Sequence, residues 1–343
     1  VRAQVLTATL MGMARETKED KPGGESTLTV VLALVVNLAI AIMKAIAGLI
    51  TGSAAMLAEA AHSVADTFTE ALLLTALRTS ARPADRAHPF GYGKERYFWS
   101  LLAAVSIFVS GAVFSFYEGF SAIFGEPVEQ ESPVVAYVVL ALAFALESIS
   151  WTQAVRQTRR DAKAESRSLF EYLRHSDDPT SKTVLFEDSA ALVGLLIAFA
   201  GIGLHQLTGS QLADGIASVM IGLLLAAVAY LLSRTNRGLL IGRQADPVLV
   251  KAVGMRLRET PEVEAVVDLL TMTTGTDSVL LCARLDFDDK LGAADLERAC
   301  VRIEADLRSE FAELTEIFLE PVPRNDPDLR AKVLARYGRE LHG

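Results

Sequence analysis

The stretch L28-T-V-V-L-A-L-V-V-N-L-A-I-A-I-M-K-A-I-A-G-L-I50 carries one amide, Asn37, and one ammonium, Lys44, in an otherwise apolar run. A hydrocarbon core about 30 Å thick is crossed by a helix of roughly 20 mostly apolar residues. The helix is obligatory because lipid offers the backbone no hydrogen-bond partners. Five more stretches meet the same requirement: Ala54 to Leu77, Tyr97 to Phe124, Pro133 to Trp151, Val184 to Leu207 and Leu212 to Leu232. The expected fold class is an α-helical membrane protein with six transmembrane helices. The hydrophobic content of 51% and mean hydropathy of +0.32 agree with membrane residence.

Lys and Arg are retained on the cytosolic side of short loops, so their distribution predicts topology. They crowd the N-terminal segment (Arg15, Lys18, Lys21), the second-to-third connection (Arg78 to Arg96) and the fourth-to-fifth connection (Arg156 to Lys182). The alternate connections, Thr51 to Ser53, Gly125 to Ser132 and Thr208 to Gln211, contain neither residue. Both termini are therefore expected in the cytosol, with residues 1–26 as a flexible N-terminal segment and 27–242 as the six-helix transport domain. The net charge of -9 and pI near 5.2 exclude nucleic acid as a partner, since phosphate binding needs a basic face. Two cysteines, Cys282 and Cys300, are too sparse for a disulfide framework and read as small core residues.

Beyond Gly242 the composition becomes that of a soluble domain. Asp246-Pro247 reads as a helix cap followed by the first turn. Helical periodicity over Pro247 to Glu259 and Ala293 to Leu307, and strand patterns over Val263 to Thr273, Ser278 to Phe287 and Thr315 to Glu320, predict the order α-β-β-α-β. Thr274 to Asp277 is the expected hairpin turn. This small cytosolic α+β domain is expected over 243–323, with 324–343 as a C-terminal tail.

Function is sought where polar residues interrupt the apolar runs, because an ionisable group at bilayer depth costs about 2.5–3.5 kcal/mol and usually faces the bundle interior. The second stretch contains M56-L-A-E-A-A-H-S-V-A-D-T-F-T-E70. His62 and Asp66, four apart, share one helix face and could hold a cation or accept protons in its place. A hydrogen-bonded pair that only joins helices is the bland alternative. Glu59 and Glu70 lie nearer the ends, where solvated or helix-linking roles are expected. The fifth stretch opens with the doublet Glu187-Asp188, of which one at most faces a given cavity squarely, since neighbours on a helix point about 100° apart. N-terminal capping is the competing reading there. Asn37 and Lys44 share a face of the first stretch, and Lys44 is expected to pair with an internal carboxylate. Glu147 lies late in the fourth stretch, and Asp214 is expected as a cap.

Several motifs are excluded. Gly91-Tyr92-Gly93 lacks the preceding Thr-Val of a potassium filter and lies in a basic loop. No Walker A, G-x-S-x-G or H-E-x-x-H motif occurs, so no enzymatic reaction is expected. His175, His205 and His342 are isolated.

The sequence resembles the cation diffusion facilitator family, and within it the zinc transporter 9 branch, from about Asn37 to Val322. The resemblance rests on T51-G-S-A-A-M-L-A-E-A-A-H-S-V-A-D66, R82-P-A-D-R-A-H-P-F-G-Y-G-K-E-R-Y97, D177-D-P-T-S-K-T-V-L-F-E-D-S-A-A-L-V-G194 and D214-G-I-A-S218. It implies six helices, cytosolic termini, a metallochaperone-like C-terminal domain, a homodimer formed through that domain, and exchange of a cytosolic divalent metal for protons. It also implies an intramembrane metal site with ligands from the second and fifth helices. His62 and Asp66 match the first pair. The fifth helix departs from the family's H-x-x-x-D: Ala191 and Leu192 stand four residues after Glu187 and Asp188, whereas the branch carries the same Glu-Asp doublet. Zn2+ is the implied substrate, with Mn2+, Fe2+ and Co2+ as alternatives for one histidine among carboxylates. Of a cytosolic loop site known in relatives, Asp85 and His88 match and Tyr92 replaces the last histidine, so that site is expected to be weak or absent. The C-terminal domain has no histidine before His342, and metal sites there are expected to be missing. A bacterial inner membrane is the expected location. A non-transporting membrane scaffold or regulator, or a transporter of another ion, are the rival readings.

Overall fold

The structure is a computed structural model and describes residues 27–125, 133–164, 167–175 and 179–338. The expectations for residues 1–26, most of the third-to-fourth connection, the start of the D177 motif and His342 lie outside the described residues. The first two helices are α1 (Thr27–Thr51) and α2 (Ala54–Ser80), joined by a turn at Gly52. Then follow α3 (Glu95–Phe124, with a π-helical stretch over Ile107–Val113), α4 (Pro133–Ala164), the short α5 (Leu169–His175), α6 (Pro179–Thr208) and α7 (Leu212–Ile241).

Four of these, α3, α4, α6 and α7, are long and apolar enough to cross a membrane by length and composition. The apolar part of α1 among the residues searched, Asn37–Thr51, is shorter, and α2 carries Glu59, Asp66 and Glu70 along its length. Helices run past the apolar stretches: α4 continues from Trp151 to Ala164 and α7 from Leu232 to Ile241. Hydropathy marks where lipid ends, whereas the backbone ladder continues into water wherever helix formers follow.

The bundle is inverted relative to a water-soluble core. Large apolar side chains such as Val109, Phe199 and Leu223 face outward, while Lys44, Glu59, His62 and Asp214 are buried. Alanines line the interior, among them Ala55, Ala58, Ala104, Ala112 and Ala198. Lipid tails are as apolar as leucine, so helices associate by close backbone approach and by interior polar contacts. At the α3–α7 crossing a Cβ on Gly119 would meet Gly215 O at 2.9 Å, and one on Gly215 would meet Gly119 O at 3.0 Å. Only glycine permits that approach.

Gly242, at φ 120°, ends α7. The C-terminal part runs α8 (Pro247–Arg258), β1 (Val263–Gly275), β2 (Ser278–Phe287), α9 (Ala293–Glu310), β3 (Leu314–Pro321) and α10 (Pro327–Tyr337). Asp246 caps α8 by accepting from Val248 N at 2.7 Å, as its position before Pro247 predicts. The sheet order is β1-β2-β3: β1 and β2 are antiparallel across a tight turn at Thr276-Asp277, and β3 runs parallel to β2 with α9 as the crossover. Alternate β2 residues Val279, Leu281, Ala283, Leu285 and Phe287 bury against Val253 and Leu257 of α8 and Ala299, Ile303 and Leu307 of α9. The predicted α-β-β-α-β order is present.

Within the stretch expected as the C-terminal tail, Pro327–Tyr337 form α10. Asp326 caps that helix, accepting from Leu329 N at 2.8 Å, with Pro327 in the first turn. This is the same Asp-Pro signal that was read correctly at α8. Arg336 then pairs with Asp268 at 2.7 Å, and the Tyr337 hydroxyl donates to Leu269 O at 3.0 Å, tying α10 to β1. The two parts of the chain meet where Arg96 hydrogen-bonds Thr276 at the hairpin tip and where Arg167 pairs with Asp246 at 2.7 Å.

Candidate metal-transport site

His62 and Asp66 project from one face of α2, as their spacing requires, with His62 Nδ1 3.3 Å from Asp66 Oδ1. The alignment makes no hydrogen bond. Both His62 nitrogens and Asp66 Oδ1 are buried without a hydrogen-bond partner among the described residues. A structural His–Asp link would satisfy those atoms, and this one does not.

Across from α2, Glu187 of α6 is buried beside Thr69, and its Oε1 likewise has no partner. Glu187 lies near enough to Asp66 for the two carboxyls to interact electrostatically. Asp188, the next residue, turns toward α4 and accepts from Ser150 Oγ at 2.9 Å. The doublet therefore divides as helical geometry demands: Glu187 faces α2 and Asp188 faces α4. Neither caps α6, which begins at Pro179, two turns earlier.

Glu147 on α4 is a further member that the sequence reading noted without placing it in the site. It is buried, and its charge is felt by Asp66, Glu70, Glu187 and Asp188. The signal was available, since Glu147 is a lone acid in an apolar run. Carboxylates from three helices, Asp66 of α2, Glu147 of α4 and Glu187 of α6, thus interact electrostatically in the interior of the bundle. Among the described residues, no three His, Cys, Asp or Glu side chains stand together as a ready-made metal cage. Ligands would have to close around an ion.

The remaining interior polar residues fasten helices. Lys44 of α1 is fully buried and donates to Glu59 Oε2 at 3.1 Å and Ser63 Oγ at 2.7 Å, so its expected carboxylate partner is Glu59. Asn37, seven residues earlier on the same face, donates to Glu70 Oε1 at 2.6 Å. Glu59 and Glu70 are thus helix-linking. Asp214 is a cap, but of a different helix from its own: it accepts from Ser53 Oγ at 2.8 Å and Ala54 N at 2.6 Å, and so closes the start of α2 from α7.

In the α2–α3 loop, Asp85 accepts from His88 N at 2.7 Å and Ala87 N at 2.9 Å, and the Tyr92 hydroxyl donates to its other oxygen at 2.7 Å. The Tyr92 bond, helped by these amides, holds the Asp85 carboxyl below its ordinary range, and the same bond pushes the Tyr92 phenol up. Both Asp85 oxygens thus already accept hydrogen bonds within the loop. In the sheet domain Cys282 and Cys300 are free thiols, pushed up by partial burial.

A family model described as the cation efflux transmembrane domain matches residues 30–241. A mitochondrial proton-coupled zinc antiporter of Xenopus laevis is 37% identical over 262 residues, which cover 76% of this chain and 47% of that protein. The metal tolerance protein C4 of Arabidopsis thaliana is 32% identical over 293 residues, 85% of this chain and 62% of the relative. A manganese efflux system protein of Bacillus subtilis is 25% identical over 301 residues, 85% of this chain and 94% of the relative. The chain spans about half the length of the zinc antiporters it matches.

Proposed function

The chain belongs to the cation efflux family of multi-pass membrane transporters, which are not enzymes, and from that premise we propose that it exports a divalent cation, Zn2+, from the cytosol in exchange for protons. All six long helices cross the membrane in this reading, with residues 27–242 as the transport domain and both termini in the cytosol of a bacterial inner membrane. The domain over 243–323 joins two copies into a homodimer. The ligands are His62 and Asp66 from α2 and Glu187 from α6, with Asp188 reaching the ion if α6 turns.

The observation that carries this is the set of buried atoms left without partners: both nitrogens of His62, Asp66 Oδ1 and Glu187 Oε1. Such atoms are costly in a medium of low dielectric unless something compensates them part of the time. A dehydrated dication does so, and so do protons on the same atoms once it leaves. The two occupants compete for one set of lone pairs, which couples metal export to proton entry. Alternating access then needs only that the helices expose the site to one side at a time.

Zinc is favoured by the imidazole and by the zinc antiporter relatives, while the carboxylate-rich set and the Bacillus relative keep manganese as the second reading. The test is metal uptake into proteoliposomes under an imposed pH gradient, with zinc and manganese compared. Zinc uptake that collapses with the gradient and is lost in Asp66→Ala is expected; unchanged uptake in that variant removes the site.

A further inference from the structure

We infer that the Lys44–Glu59 ion pair, seated against Gly194, is the closed outer gate of the transport path. The inference rests on the topology proposed above, in which the turn between α1 and α2 faces outward.

Three observations place the gate. Glu59 lies seven residues, about 10 Å along the helix, from Asp66 on the outward side. Gly194 lies the same distance outward from Glu187 on the antiparallel α6, so the register that sets Glu187 against α2 also sets Gly194 against Glu59. A Cβ on Gly194 would overlap Glu59 Oε1, which means the carboxylate fills the space between the two helices. Lys44 closes the third side from α1, holding Glu59 Oε2 at 3.1 Å and Ser63 Oγ at 2.7 Å, on either side of the turn that carries His62.

Burial falls off in the opposite direction. Glu59 is 0% exposed and His62 1%, whereas Asp66 is 14% exposed and Glu70 is half-buried. Exposure thus rises along α2 from Glu59 toward Glu70, the end that faces the cytosol in the proposed topology. An ion pair suits a gate of this kind. In a dry interior its attraction holds α1 to α2, and the carboxylate packs against Gly194 of α6. When water enters, hydration of the separated charges offsets most of the lost attraction, so opening is not prohibitive as it is for a close-packed apolar plug. Glu59 Oε1 has no hydrogen-bond partner, so the carboxylate is held by the ammonium and by packing alone.

The experiment reads accessibility, not transport, and so does not depend on the metal-site assignment. His62→Cys is placed in a Cys282→Ser/Cys300→Ser background, and intact expressing spheroplasts are treated from outside with a membrane-impermeant thiol reagent. With Lys44 and Glu59 present, labelling is slow. Glu59→Gln, an isosteric change that keeps packing, and Lys44→Gln should each raise the labelling rate by at least about threefold, since either shifts the population toward the open gate. Gly194→Ala should raise it less. The exchanged pair Lys44→Glu/Glu59→Lys should return the rate to within about threefold of the parent. A smaller rise in Glu59→Gln, or an exchanged pair that labels as fast as the single variants, overturns the gate. Zinc uptake lost in Asp66→Ala but an unmoved labelling rate in Glu59→Gln would sink the gate alone. The reverse result would sink the metal site alone.

Discussion

The transmembrane bundle and the sheet domain both bury acids and pair most of them, but one group in the bundle is left with unpartnered atoms. In the sheet domain Asp268 is fully buried and its Oδ2 faces two guanidiniums, Arg284 at 3.2 Å and Arg336 at 2.7 Å. In the bundle both His62 nitrogens, Asp66 Oδ1 and Glu187 Oε1 are buried without a hydrogen-bond partner among the described residues. A buried charge with its partner is a fastening, and removing one side leaves the other stranded. Unpaired atoms gathered on ligand-type side chains are the ones an ion could satisfy.

That contrast sets the order of expected effects. The largest is on transport: Asp66→Ala or His62→Ala should lower initial zinc uptake by about 100-fold or more, since loss of an outer-shell partner of a metal ligand already costs 10–100-fold. The same variants should leave the thermal midpoint of the detergent-solubilised protein unchanged or raised. A falling midpoint would mean that the residues are fastenings after all.

Asp268→Ala should do the reverse, sparing zinc affinity while destabilising the sheet domain by about 2–4 kcal/mol, because two partly exposed guanidiniums lose their anchor. Faster alkylation of Cys282 and Cys300 in the full chain reads this out, and an unchanged rate refutes it. Asp214→Ala sits between the two classes. It leaves Ser53 accepting from Met56 N but strips Ala54 N of its acceptor, and should cost about 1–2 kcal/mol, read as a lower midpoint with the metal affinity of purified protein preserved.

The smallest effect is expected at Tyr92. Its hydrogen bond helps hold the folded-state Asp85 carboxyl below the ordinary range, so the resulting stability is present above that range and fades as pH falls through the lowered value. Tyr92→Phe should move the carboxyl back up and flatten that acid-side dependence. An NMR titration of Asp85 measures the shift, and zinc uptake should change by less than about twofold, as for other exposed sites.

Much of this organisation is legible without coordinates. The apolar runs locate the bundle because lipid imposes length and composition together. The spacing of His62 and Asp66 fixes a shared face, and Asp246-Pro247 marks the start of α8. The Asp-Pro signal at Asp326 was equally readable, and the helix it begins was missed because the residues after it carry little apolar periodicity. Glu147 was visible as a lone acid, yet its relation to Asp66 was not, because a single helix carries no information about which neighbour it faces.

The sequence by itself determined where the chain meets lipid, which residues violate the apolar rule, and which pairs share a helix face; these follow from local periodicity and the chemistry of single side chains. Only the tertiary structure decided that Glu187 and not Asp188 turns toward α2, that Lys44 joins Glu59, and that Asp214 caps α2 from a helix some 160 residues away. Those outcomes depend on how helices rotate and cross. Close packing sets rotation and crossing across the whole bundle, and no stretch of sequence carries them alone.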